Sequence, residues 1–273
     1  MKARVPSADR SAAGRPGSPG TVRDFTDFRP EQRPEPTEQE LRQQLAAAYR
    51  IVAYFGWDYL IYGHLSVRVP GPERHFLINP FGLMYDEVTA SNLVKIDLDG
   101  NLVEPGPYTV NPAGFVIHGA IHAARPDAHC VMHTHTIAGM TLAAADVPVR
   151  AIDFAGASLY ERVAYHAFSG VHADMSDREA LVQSLGDKHY LVLRNHGLLT
   201  CAPTIPLAFR RLFDLEIACR VQTAATAMNA RLIEAPAEIA ESHAKVLENV
   251  DGGELAFAAL TRLMKKRDPS FLE

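Results

Sequence analysis

Cysteine is scarce. Three occur in 273 residues, at Cys130, Cys201 and Cys219, and none forms a Cys-x-x-Cys pair. Their odd number and apolar neighbours exclude a disulfide framework and a thiolate metal knuckle, so we expect reduced core residues and a cytoplasmic protein. Basic clusters are missing as well. The net charge is -5 and no Lys/Arg-rich block stands out, which argues against a nucleic-acid surface. No run is long and apolar enough to cross a membrane, so neither a membrane nor a nucleic acid is expected as a partner. Residues 1–36 lack hydrophobic periodicity and an apolar core of the secretory type, and are rich in Pro, Gly, Arg and Ser. They read as a disordered or loosely packed tail; the other reading is that Asp24–Phe28 docks on a neighbouring subunit.

Residues 37–273 read as one globular domain, with an ordinary 47% hydrophobic and 22% charged composition. Thr37 with Glu40 makes a capping box, and Leu41, Leu45, Ala48, Val52 and Phe55 form the stripe of a first helix that Gly56 closes. Strands are expected over 59–69 and 75–79, around Pro70-Gly71-Pro72, and over 93–97 and 101–103, around Asp99-Gly100. Asn111 and Pro112 open a helix running to 124. Short helices follow over 137–145 and 177–185, then a strand over 190–194. Thr204 caps a long helix to about 230 with Leu212, Leu215, Ala218, Cys219 and Gln222 inward, and further helices follow Pro236.

Histidine is the abundant chemical residue, with 12 copies. His133 ends the apolar run Cys130-Val131-Met132, and in a strand residues i and i+2 share a face. His133 and His135 thus stand side by side with Thr134 turned away, and Cys130 faces away from His133. Two neutral imidazoles are half of a site for zinc, iron, manganese or cobalt, or they are sheet histidines bonded to neighbours. His196, after the apolar run 190–194 and before Gly197, is the best third ligand. His64 and Ser66 share a face of their strand.

Several words in order resemble the class II aldolase/adducin family over about residues 38–230: Gly63-His-Leu-Ser-Val-Arg68, Leu77-Ile-Asn-Pro-Phe-Gly-Leu83, Asn92-Leu-Val-Lys-Ile-Asp97, the block from His118 through Arg125-Pro-Asp127 to His133-Thr-His135, and Asn195-His-Gly-Leu-Leu199. The resemblance implies a three-layer α/β/α sandwich around a central, mainly antiparallel sheet. It implies a homotetramer with active sites at subunit interfaces. It also implies that His133, His135 and His196 hold one divalent metal ion (Zn, Fe(II), Mn or Co).

The departures from the family pattern are as informative. Aldolases of the family read Gly-Asn where this chain has Gly63-His64, so His64 is a candidate fourth ligand, proton donor or substrate contact, or else a sheet histidine. Their phosphate loop places a hydroxyl residue before Gly82, where this chain has Phe81; that ring either floors an apolar or aromatic pocket or belongs to the core. Counted back from His133, their catalytic glutamate falls on Gly114 and their phosphate-binding serines on Pro112 and Ala113. His118, one turn on, is a candidate base or ligand in the vacated space, and otherwise a helix-packing residue; His122 is read as packing. Tyr160 is a weaker proton-donor candidate, and Glu216 either supports a ligand's second nitrogen or makes a surface ion pair. Ser66, Phe81, Gly82 and Gly114 are the substrate-binding candidates, beside His64, His118 and Tyr160 as catalytic ones.

The expected substrate is a small non-phosphorylated 2-oxo or 2-hydroxy acid, apolar or aromatic, cleaved at a carbon–carbon bond or decarboxylated through a metal-stabilised enolate. The first alternative is a non-haem Fe(II) oxygenase that oxidatively decarboxylates an aromatic acid, as in aminocoumarin-pathway relatives. The second is an adducin-like interaction module without turnover.

Overall fold

The computed structural model describes residues 35–170, 175–250 and 252–273. The expected tail over 1–36 lies outside the described residues except at its last two positions. Seven strands form one sheet in the order β3-β2-β1-β4-β7-β6-β5. They are β1 (His64–Arg68), β2 (Phe76–Ile78), β3 (Val94–Ile96), β4 (Cys130–Thr134), β5 (Val163–His166), β6 (Tyr190–Leu193) and β7 (Gly197–Ala202). Every pairing is antiparallel except the parallel β5–β6 edge. β4 is central, with His64 of β1 opposite His133 on one side and Leu199 of β7 opposite it on the other.

Alternation along β4 sorts the two faces. Cys130 and Met132 enter a large core with α1 (Glu38–Tyr54) and α6 (Ile205–Ala227). Val131 points the other way, into a core with α2 (Pro112–Ala124) and α5 (Met175–Leu185). Helix, sheet and helix therefore make three layers, as expected, and Cys130 does face away from the histidines. α3 (Ile137–Ala144), α4 (Phe154–Ser158), α7 (Ala237–Asn249) and α8 (Glu254–Arg267) complete the fold.

The local signals are met where the backbone chemistry is specific. Thr37 and Glu40 make both bonds of the capping box. Thr204 accepts a bond from Leu207 N at the start of α6, whose inward stripe is buried. Asn111 caps α2 by accepting from Ala113 N. Two expected strands are shorter. The one over 59–69 begins only at His64, because Gly63 takes φ +88° and turns the chain into the sheet. The one over 101–103 is reduced to a bridge at Leu102 opposite Ile96.

Candidate metal centre

The triad is assembled by three tight pieces of backbone. β4 ends at Thr134 and delivers His133; His135 follows in the turn to α3. His196 sits in the turn between β6 and β7, where Asn195 takes φ +56° and His196 N bonds Leu193 O. Gly197 brings the two turns together: a Cβ there would meet Thr134 O at under 3 Å and His135 Cδ2 at 3.1 Å. Only a residue without a side chain permits that approach.

One ligand nitrogen each from His133, His135 and His196 lies within 4.8 Å of the other two. His133 Nδ1 lies 2.8 Å from Leu198 O. A carbonyl only accepts, so Nδ1 carries the proton and Nε2 carries the lone pair. That Nε2 lies 2.7 Å from His135 Nε2. At that distance His135 donates from Nε2 to His133, and the donor set of three imidazoles fits a divalent metal in place of that hydrogen. Burial disfavours charge on the rings, and mutual repulsion adds to it. His133 is held well below the usual histidine range by burial and then by His135, His196 and His64. His135 falls to about 4 through burial and His196, and burial lowers His196 too. Neutral histidines are the form that binds a metal.

Behind β4 the support is a carboxyl. Glu216 of α6 is fully buried and accepts from Thr134 Oγ1 at 3.1 Å and Thr136 Oγ1 at 2.8 Å. Burial pushes it up to about 7 against the lowering effect of those hydroxyls. Glu216 thus neither bonds a ligand imidazole nor pairs on the surface, the two roles expected for it. It fixes the strand-to-helix turn that carries His135, with Thr136 also capping α3 at Gly139 N.

A cavity of about 310 Å³ opens over the triad, lined by His64, His135 and His196 with a mostly apolar wall. Phe81, Tyr59, Tyr62 and Phe168 supply the aromatic part; Val116, Ile117, Leu181 and Leu193 supply the aliphatic part. Two cations border it. Arg194 is committed to the carbonyls of Ala145 and Val147 and lies over the Tyr165 ring. Arg178 lies over the Phe115 ring at 4.5 Å, and its buried Nε has no hydrogen-bond partner among the described residues.

The other expected residues separate by position. Phe81 and His64 border the cavity. Gly82 takes φ +101° and shapes the loop after Phe81, but is not part of the wall. Gly114 lies against His64: a Cβ there would meet the imidazole, at 2.7 Å from Nε2. Ser66, expected as a substrate contact, is fully buried outside the cavity wall, with its hydroxyl 2.5 Å from His118 Nδ1 and 2.7 Å from His122 Nε2. His118 does not reach the cavity either; its second nitrogen lies 3.0 Å from His64 Nδ1. His122, read as packing, also bonds Ala128 O through Nδ1. Tyr160 packs against Ala151, Ala157 and Ala240, away from this wall. Arg178 and Tyr59 were not singled out from sequence: nothing in their spacing links them to the histidine words.

Fold and site together define a mixed α/β protein whose central antiparallel strands and their turns bring three histidines together as a candidate metal centre. The chain belongs to the class II aldolase and adducin family: the profile described as class II aldolase and adducin N-terminal domain matches residues 43–223. A crystal structure of an aldolase II superfamily protein from Pseudomonas syringae is 44% identical, with TM-score 0.83, covering 88% of this chain and 98% of that one. The L-fuculose 1-phosphate aldolase from Glaciozyma antarctica is 30% identical with TM-score 0.76, over 89% and 96% of the two chains. Rat alpha-adducin is 45% identical over 188 residues, which are 68% of this chain and 25% of adducin.

Proposed function

We propose that this protein is a divalent-metal-dependent lyase acting on a non-phosphorylated 2-oxo or 2-hydroxy acid. The observation that carries the reading is the convergence of His133, His135 and His196, with His135 and His196 lining a largely apolar cavity. These residues would hold Zn, Fe(II), Mn or Co. The bound metal supplies an electrophile that polarises the oxygens of an acid substrate. Phe81, Pro112 and Ala113 offer no side-chain hydroxyl to a phosphate, while the aromatic wall favours an apolar or aromatic group. Arg178, with donor capacity to spare, receives a carboxylate. His64 stands where Gly114 leaves room and takes the proton-transfer role that a carboxylate fills in aldolases of the family. Assembly as a homotetramer agrees with the exposure of Tyr59, Leu60 and Tyr62 beside the cavity mouth.

Two other readings each have a supporting observation. An Fe(II) oxygenase would use the same three-histidine set with an aromatic acid against Phe81 and Tyr59. An adducin-like interaction module is favoured by the 45% identity to alpha-adducin. Metal content of anaerobically purified protein, with oxygen uptake followed on adding aromatic 2-oxo and 2-hydroxy acids, separates the three. Zn, Mn or Co with cleavage products and no oxygen uptake supports the lyase. Iron with substrate-dependent oxygen uptake replaces it with the oxygenase. Full metal occupancy with no turnover of any acid favours the interaction module.

A further inference from the structure

Two ladders face each other behind the cavity. His64 and Ser66, at i and i+2, share one face of β1; His118 and His122, at i and i+4, share one face of α2. Their side chains interleave as His64–His118–Ser66–His122, ending on the Ala128 carbonyl, with successive separations of 3.0, 2.5, 2.7 and 3.0 Å. All four side chains are buried.

The proton count admits one arrangement. Ala128 O can only accept, so His122 donates from Nδ1. A neutral imidazole has one N–H, so His122 Nε2 is an acceptor and Ser66 gives it the hydroxyl proton. Ser66 has no second proton, so its oxygen accepts from His118 Nδ1. His118 Nε2 is then an acceptor and receives from His64 Nδ1. Neutrality of His118 and His122 is enforced by the surroundings: burial comes first for both rings, with further repulsion from neighbouring histidines at His118 and from Arg68 at His122. Arg68 and Arg74 both donate to the His122 carbonyl and hold positive charge at that end of the chain. The remaining nitrogen is His64 Nε2, on the Gly114 side of the ring.

We propose that Ser66, His118 and His122 are positioning residues that lock His64, which lines the cavity, as its Nδ1–H tautomer and leave its Nε2 as the proton acceptor. This rests on the reading of the cavity as a catalytic site, but the tautomer itself does not depend on any turnover. The device does for this site what a partner on the second nitrogen does for any catalytic or ligating histidine: it fixes which nitrogen is basic and where it points.

The test is nitrogen NMR of the full chain labelled with 15N-histidine, metal-free and zinc-loaded, with His64→Gln, His118→Gln and His122→Gln spectra used only for assignment. The expected result in the unsubstituted protein is Nδ1 protonated and Nε2 unprotonated for His64, His118 and His122, in both forms. Ser66→Ala should turn His64 into a tautomer mixture with metal content unchanged, and where turnover is measurable should lower kcat roughly 10- to 100-fold with KM within about 3-fold. An Nε2–H form of His64 in the unsubstituted protein overturns the proposal without reference to any variant. An unchanged His64 tautomer in Ser66→Ala also overturns it. The correct tautomers with no turnover of any acid leave the positioning chain standing and remove the lyase reading instead.

Discussion

The imidazole of His64 fills the space into which a side chain at Gly114 would grow. Two positions where the resemblance implies departures from the aldolase pattern, His64 and Gly114, thus meet in space. A double-mutant cycle measures that coupling. Gly114→Ala should cost roughly 1–3 kcal/mol of stability while His64 is present, because overpacking forces the ring to move. In a His64→Ala background the same change should be near neutral or stabilising by up to about 1 kcal/mol, the helix preference of alanine over glycine. Additive effects in denaturant unfolding would sink the coupling.

The triad predicts its own loss. His133→Ala should remove most bound metal by elemental analysis, since it takes away the one ligand whose free nitrogen is fixed by a backbone carbonyl. Full stoichiometry in this variant would dismiss the assignment.

Glu216 gives a pH signature. Its carboxyl is raised from 4.5 to about 7, so the folded state keeps a proton that the unfolded state has released between those values. That stabilising contribution is complete below the unfolded value and is lost as pH rises through about 7. Glu216→Gln removes the titration. The stability of the variant relative to the unsubstituted protein should therefore improve between pH 5 and 8, by as much as about 3 kcal/mol. A difference flat with pH would mean that the carboxyl is not raised.

Ligand charge provides the fourth check. Arg178→Met should raise KM for an acid substrate, or weaken binding of an unreactive 2-oxo acid, by about 10-fold or more, as expected for a lost charged hydrogen bond. Sugar phosphates should show no micromolar binding by calorimetry in either protein. Tight binding of a phosphate ester would overturn the reading of Phe81, Pro112 and Ala113.

The periodic and capped parts of this fold were legible from residues alone, because Thr37 with Glu40, Asn111 with Pro112, and Thr204 act through near neighbours. The clustering of the three histidines was legible for a related reason: the i, i+2 spacing of His133 and His135 decides their common face, and the apolar run before His196 with Gly197 after it marked the third. Ser66, His118 and His122 were each visible as half of a spacing, i and i+2 or i and i+4. Their function depends on which strand face meets which helix face, a long-range docking that no window of sequence contains. Ser66 therefore read as a substrate contact and His118 as a base, whereas both are buried behind His64. Arg178 escaped for the same reason, since only the packing of α5 on α2 brings it to the cavity.

Gly197 carries one last consequence. By letting the His196 turn rest directly on the end of β4, it lets the backbone itself bring the three imidazoles together. The ordering entropy is met by the sheet, so the metal has little left to organise. Such a centre is expected to act as an exchangeable socket: treated with a chelator, the protein should keep its shape and then accept a different divalent ion in the same place. On that expectation the ion would be set by supply and ligand preference rather than by the cage itself.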